Sequence, residues 1–275
     1  MPDVHPTAVV HPSAQLEDDV SIGPYCVVGP QVMIGAGSQL LSHVVVEGPT
    51  HLGAHNVVHP FAVLGSDPQH RGYAGEPTRL VIGDHNVIRE HVTIHRGTAV
   101  GASVTVVGSH CLLMVGSHVA HDAMVGSHVT LTNGTLLGGH VEFGDWAVAA
   151  GHVAVAPFTR IGESAFLAGN AMVERDVPPF MMAAGDRATL RAINRVGLER
   201  REVPASSVTN LRAAFHALFP LDRCGIAHQG MEAAEMEKDP FVCLLLQFLR
   251  ATSHQGVMPR NRSRSRTQTP TEMRT

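Results

Sequence analysis

Aliphatic side chains recur every six residues from Val4 through Val10, Leu16, Ile22, Val28, Ile34, Leu40, Val46, Leu52 and Val58 to Leu64 without a break. At ordinary aliphatic frequencies such a run arises by chance on the order of once in a million. The period resumes at Ile82, Ile88, Ile94 and Val100, slips by one, and continues from Val107 to Val173 through positions such as Val119, Val125, Leu137 and Ile161. Glycine follows many of these positions, as in Ile22-Gly23, Val28-Gly29 and Val125-Gly126, where a tight corner tolerates little side-chain bulk. This pattern predicts a parallel β-helix with one inward aliphatic per face. Three hexads close a triangular coil of about eighteen residues, and about nine coils at the strand spacing of about 4.8 Å make a prism about 40 Å long.

Two interruptions break the count. Residues 65–79, GSDPQHRGYAGEPTR, are rich in Gly and Pro and predict a loop thrown out from the solenoid, where function commonly resides. The step of seven between Val100 and Val107 predicts a small bulge. The period ends at Asp176-Val177-Pro178-Pro179. Beyond it Ala188–Glu202 is rich in Arg and Leu, Ser206–Phe219 has apolar residues at helical spacing, and Phe241–Ala251 is an apolar run. The resulting expectation is a mainly β chain: a parallel β-helix over 1–185 with its excursion at 65–79, a small helical domain over 186–255 that caps the open end, and a basic tail over 256–275. The tail, rich in Arg, Ser, Thr and Pro, is too polar to bury a core and is expected to be disordered.

Composition narrows the function classes. Aromatic residues make up only 4% of the 275 residues, which suits a narrow interior of stacked Val, Ile and Leu. No apolar stretch of about twenty residues occurs and the repeat starts at Val4, so the expectation is a soluble, cytoplasmic protein without signal peptide or stable membrane insertion. The four cysteines show no paired or metal-like spacing, consistent with a reducing compartment. Net charge is −4, and the basic tail conceals a still more acidic folded part, which argues against nucleic acid as a partner. Polar prism faces can pack side by side, so a closed threefold assembly with clefts between subunits is the expected oligomer.

The nineteen histidines carry the candidate chemistry. His118, His121 and Asp122 sit within five residues, and His140 follows about one coil later, so these groups can gather on one outer wall. His121 with Asp122 is a candidate general base, since a neutral imidazole takes a proton near pH 7 and a carboxylate holds its tautomer. Gly138-Gly139 would let backbone N–H groups approach a carbonyl oxygen. Solvated corner residues remain an alternative explanation for each of these.

Six segments, Tyr73–Leu80, Ile94–Thr98, His118–Asp122, Gly138–His140, Asp176–Pro179 and Asn194–Arg201, have the order and spacing of one family. In them the chain resembles the UDP-N-acetylglucosamine O-acyltransferases that begin lipid A synthesis, cytoplasmic homotrimeric left-handed β-helices with a C-terminal helical domain. The resemblance implies transfer of a 3-hydroxyacyl chain from acyl carrier protein to the sugar 3-hydroxyl. It implies that His121 is the base, Asp122 its orienting acid and Gly139 the oxyanion donor, with His118 and His140 positioning substrate. It further implies that Asn194, Arg200 and Arg201 surround the nucleotide, its diphosphate and the phosphopantetheine arm, and that Gly169 forms the floor of the acyl groove. No metal or resident cofactor is implied, the donor carrying its own phosphopantetheine. The partners implied are acyl carrier protein and a UDP-sugar.

Departures fall on the acceptor side. Where the family has Asp-Leu-Lys before the loop tyrosine, here Tyr73, this chain has His70-Arg71-Gly72, and Arg71 is the candidate substitute for the lost lysine charge. Ala156-Pro157 stands where the family commonly has a further histidine. A 3-amino sugar acceptor, a non-catalytic scaffold and a zinc hydratase of similar fold are the competing readings.

Overall fold

The computed structural model describes residues 1–220, 226–235, 238–251 and 253–260. Short parallel strands form three faces of a prism, visited in strict rotation along the chain. The first face runs from Asp3–Val4 to Met181–Ala184, the second from Val9–Val10 to Met172–Val173, and the third from Gln15–Leu16 to Arg160–Ile161. Each strand sits directly over its counterpart one coil earlier, so that Val119 lies between Ile94 and Leu137. The hexad aliphatics Ile22, Ile34, Leu40, Leu52, Leu64 and Ile82 point inward and are fully buried. Burying each such side chain contributes on the order of 2 kcal/mol. Val100 departs from the expected count. It is 78% exposed in the segment between the strands Thr93–His95 and Val104–Val107, and Thr105 and Val107 fill the interior instead.

Corners account for many of the nineteen histidines. His43, His55, His85, His91, His110, His128, His140 and His152 all adopt positive φ between 53° and 60°, a conformation for which histidine, asparagine and aspartate are enriched among non-glycine residues. Coil stacking then places ring over ring. Tyr25, His43, Phe61 and His91 form one ladder at the corner joining first and second faces. His55, His85, His110, His128 and Trp146 form another where the third face turns into the first.

Behind the second ladder runs a buried polar column. The Asn56 amide donates to Gly83 O at 2.9 Å and its Oδ1 accepts from Asn86 N–H at 2.9 Å. Asn86 repeats the arrangement one coil on, donating to Gly108 O at 3.0 Å and accepting from Cys111 N–H at 2.7 Å. These amides satisfy corner backbone groups that the strands cannot reach.

The C-terminal part contains helices α1 (Arg195–Arg200), α2 (Ala205–Leu218), α3 (His228–Glu235) and α4 (Pro240–Arg250). Its start corrects the expectation of helix from Ala188. Thr189–Ile193 is instead a strand antiparallel to Met181–Ala184, entered through Gly185 at φ 106°. Leu190 and Ile193 are buried while Arg191 is exposed, a pattern that a count of Arg and Leu cannot distinguish from a helix. This strand covers the last edge of the first face, and Phe180 packs beneath Phe241 of α4. The expected disorder from Gly256 is also corrected in part. Met258 N–H donates to Asp176 O at 2.9 Å and Leu190 N–H to Pro259 O at 3.0 Å, fixing 256–260 against the prism; residues 261–275 lie outside the described part. Asn86→Ala is expected to lower unfolding free energy by about 2 kcal/mol, since it strands Gly108 O and Cys111 N–H in the interior; urea unfolding followed by circular dichroism measures it.

Candidate active site

Both interruptions of the hexad count open at one corner, where the second face turns into the third. The loop 67–78 joins second-face strand Val63–Ser66 to third-face strand Arg79–Ile82, and one coil later the segment 96–103 joins Thr93–His95 to Val104–Val107. His121 and Asp122 occupy the same corner in the next coil, between His118–Val119 and Met124–Val125, and His140 follows one coil below them. The corner is thus the one place where spare chain gathers around imidazoles.

Consecutive side chains diverge along a strand, but Asp122 adopts φ 60° and turns back toward its neighbour. Its Oδ2 lies 2.9 Å from His121 Nδ1 and 3.8 Å from His140 Nε2. The Asp122 side chain has no exposed surface. Thr98 holds it from the segment above, with N–H donating to both oxygens at 3.0–3.1 Å and Oγ1 donating at 2.6 Å. Gly101 permits this approach, since a Cβ there would meet the carboxylate at 2.4 Å. Burial alone would raise the Asp122 pKa; the hydrogen bonds from Thr98 and His121 outweigh it and hold the carboxyl below its ordinary value. The ionised carboxylate accepts a hydrogen bond from Nδ1–H of His121, which leaves Nε2 of the neutral ring as the acceptor atom.

That ring lies over Gly139. A Cβ at residue 139 would stand 2.7 Å from His121 Cε1 and 2.9 Å from Nε2. The flanking Gly138 and His140 N–H groups are tied to Val155 O and His121 O, each at 3.0 Å, whereas the Gly139 N–H has no partner among the described residues. A basic nitrogen and an uncommitted backbone donor therefore share one spot, the arrangement needed to deprotonate a nucleophile and to stabilise an oxyanion beside it.

Neutral imidazoles surround the pair. His118 Nδ1 is 2.7 Å from Thr93 Oγ1, and its ring meets His95 edge-on at 5.2 Å. Burial, reinforced by His95 and His121, pushes the His118 pKa down to about 4. His140 is also lowered, chiefly by burial, and stacks on Phe158 at 4.4 Å. The donor atoms of His121, Asp122 and His140 lie within 4.8 Å of one another. Zinc would draw its ligands to about 2.0–2.1 Å from the ion, and Thr98 already occupies both carboxylate oxygens, so the geometry is that of a hydrogen-bonded relay.

Other expected site residues stand elsewhere. The Tyr73 hydroxyl accepts from Arg96 at 3.1 Å and donates to Glu76 O at 3.1 Å, so it ties the loop together. Arg96 also donates to Gly48 O and Gly65 O and pairs with Asp67; it is the anchor that sequence reasoning did not single out. Arg71 is exposed. Gly169 lies at the corner between first and second faces, where an added Cβ would meet only Gly151 O at 3.5 Å. Asn194 caps α1 by accepting from Gly197 N–H at 3.1 Å and donates to Ser164 O at 2.9 Å. Arg201 pairs with Glu163 at 2.6 Å and lies over Trp146, at the corner between third and first faces. Arg200 ends α1, exposed. One chain therefore gathers His118, His121, Asp122, Gly139 and His140 but leaves Gly169, Asn194, Arg200 and Arg201 on its other two corners.

The depressed histidines make stability depend on pH. An unfolded chain binds protons near pH 6.5 that folded His118 refuses until about pH 4, so the folded state is expected to lose stability as pH falls through that window. Urea midpoints should fall between pH 7 and 4.5, and His118→Gln should flatten the slope; a slope unchanged by that variant would assign the effect elsewhere.

Comparison with known proteins agrees with this geometry. Residues 176–258 match the second domain of the UDP-N-acetylglucosamine O-acyltransferase family. A Stutzerimonas stutzeri protein named acyl-[acyl-carrier-protein]–UDP-N-acetylglucosamine O-acyltransferase is 44% identical over 78% of this chain and 84% of its own. A Janthinobacterium protein of the same name is also 44% identical, over 90% and 94%. Solved UDP-N-acetylglucosamine acyltransferases from Francisella novicida and Moraxella catarrhalis superpose with TM-scores of 0.88 and 0.89 at 35% and 36% identity, each over 93% of this chain and over 94% and 99% of their own. Those neighbours are left-handed β-helices, and this prism has the same hand. A chain alike in sequence and fold over nine-tenths of its length belongs to the UDP-N-acetylglucosamine O-acyltransferase family.

Proposed function

We propose that the protein transfers a 3-hydroxyacyl chain from acyl carrier protein to the 3-hydroxyl of UDP-N-acetylglucosamine, the first step of lipid A biosynthesis. The observation that carries this reading is a His121 ring fixed by buried Asp122 and lying against Gly139, whose backbone N–H has no partner among the described residues. His121 Nε2 takes the hydroxyl proton as the oxygen attacks the thioester carbonyl, and Gly139 N–H receives the charge that develops on the carbonyl oxygen. The Asp122 carboxylate stabilises the imidazolium. Collapse of the tetrahedral intermediate expels the phosphopantetheine thiolate, and the imidazolium returns the proton to it. Neutral His118 and His140 offer hydrogen bonds to substrate without competing for that proton. The reaction calls for no cofactor beyond the carrier's own prosthetic arm.

The division of the remaining residues among three corners supports a homotrimer. Several outward positions on the second face are apolar and uncovered, Val9 being 64%, Val27 41%, Leu136 48% and Met172 42% exposed, while Thr93 and His118 interrupt the row with polar side chains. This face is bounded by the corner of His121 on one side and the corner of Gly169 on the other. Turning three such faces toward a common axis buries the apolar row and sets the base of one subunit beside the Gly169 corner of the next. The acyl chain would then lie in the cleft, where Gly169 leaves room for a long chain.

The carrier is acidic by nature of its class and needs a basic landing surface. Arg191, Arg195, Arg212 and Arg260 line a pocket of about 290 Å³ between the terminal strand and α2. Of these only Arg195 has an acidic partner among the described residues, Glu199 at 3.2 Å. Among the described residues no helix is long and apolar enough to cross a membrane. Substrates of this kind place the reaction in the cytoplasm.

Transfer from a panel of hydroxyacyl carrier proteins to UDP-N-acetylglucosamine should proceed in the wild type and drop about a thousandfold in His121→Ala. Turnover only with the 3-amino analogue would replace the acceptor in this reading, and no turnover with either from a folded protein would sink it. The double variant Val9→Lys/Val27→Lys, far from His121, should sediment as a folded monomer and lose activity; an active monomer would refute the shared cleft.

A further inference from the structure

The excursion loop folds back over the corner from which it leaves. It brings His70 edge-on to His121, with ring centroids 5.5 Å apart and planes at 72°. On its other side His121 meets His140 at 5.3 Å and 87°. The base thus stands between two imidazoles, one from its own wall and one delivered by the loop.

His70 is held in place. Its backbone N–H donates to Pro68 O at 2.7 Å, and its carbonyl accepts from Tyr73 N–H at 3.1 Å. Its ring Nδ1 accepts from Gly72 N–H at 3.2 Å. Acceptance at Nδ1 puts the proton of the neutral ring on Nε2, which no other described residue engages. Gly72 is part of the same device, because a Cβ there would press on the ring at 3.2 Å from Cε1 and 3.4 Å from Nδ1. The departures at 70 and 72 are therefore coupled. The absence of a side chain at 72 leaves the space in which the imidazole at 70 sits against the Gly72 N–H; His70 and Arg71 are both exposed, and Arg71 has no ion-pair partner among the described residues.

We infer that His70, and not Arg71, is the acceptor-binding residue of this loop: its Nε2–H donates to an oxygen of the sugar whose hydroxyl lies at His121. An N–H donor suits an oxygen-bearing ring. This inference rests on the acceptor reading above and adds the residue that recognises it.

Steady-state kinetics on the full-length protein test it. His70→Ala should raise KM for UDP-N-acetylglucosamine about tenfold, the worth of one neutral hydrogen bond, while leaving KM for the acyl carrier unchanged and kcat within a few-fold. His70→Gln, which keeps an N–H donor at similar reach, should recover most of the loss, and Arg71→Ala should leave every constant unchanged. An acceptor KM that rises in Arg71→Ala and not in His70→Ala would overturn the assignment. So would a His70→Ala enzyme that loses kcat and both KM values together without rescue by Gln, which is the behaviour of a merely structural contact. Calorimetry with UDP-N-acetylglucosamine separates the two levels. Wild-type turnover lost in His121→Ala upholds the parent reading whatever the His70 variants do. If turnover is absent, weaker sugar-nucleotide binding in His70→Ala still upholds the His70 contact, and unchanged binding rejects it.

Discussion

Every other feature of this molecule depends on the hydrogen-bonded ladder that holds each coil in register with the one beneath it. Parallel pairing repeats with Val4 on Ile22 and continues to Leu167 on Ala183, so a residue's position in its hexad fixes whether it enters the core, faces out or turns a corner. A buried polar side chain in the prism finds its partners chiefly in the adjacent coil. The Asn56–Asn86 column shows this, since each amide closes on the backbone of the next turn. Rings at the corners obey the same registration, which is why so many imidazoles stack instead of binding anything.

One corner is released from that regularity. The loop at 67–78 and the segment at 96–103 insert chain where the second face becomes the third, and the inserted residues surround an aspartate with no exposed surface. Burying an ionised carboxylate costs several kcal/mol unless it is closely bonded. Thr98 supplies backbone and hydroxyl donors, and His121 supplies the remaining bond. The arrangement stabilises the charged form of Asp122 and, through it, one tautomer of His121. A flexible base on an open corner would have neither property. The rigid wall below contributes Gly139, whose missing side chain lets the ring sit against the backbone.

The distribution of the remaining site residues has a geometric cause. A triangular prism presents its corners in three directions, and residues on different corners cannot face a common substrate within one chain. His121 and Gly169 border the same second face, and in the proposed trimer burying that face against copies of itself would bring the two together. In that assembly the hydrophobic effect that joins the subunits would also complete the site.

The hexad count alone determined the architecture, because a period of six with inward aliphatics admits few packings. It also showed where the chain leaves the prism, and the motif at His118–Asp122 marked the imidazole and carboxylate that the structure brings to 2.9 Å of each other. Helices α2 and α4 were likewise visible in their spacing. The terminal strand Thr189–Ile193 was not, since its burial alternation comes from pairing with Met181–Ala184, a contact that local propensity does not encode. Nor could sequence show that Val100 points outward, because a short aliphatic looks the same in a bulge as in a strand. The tertiary structure alone decided that Thr98 holds Asp122, that Arg96 anchors the loop, and that His70 lies against His121. These pairs are separated by 24, 23 and 51 positions in the chain. Only the stacking of coils, which superposes residues about a turn apart, and the fold of the loop over its own corner bring them within reach.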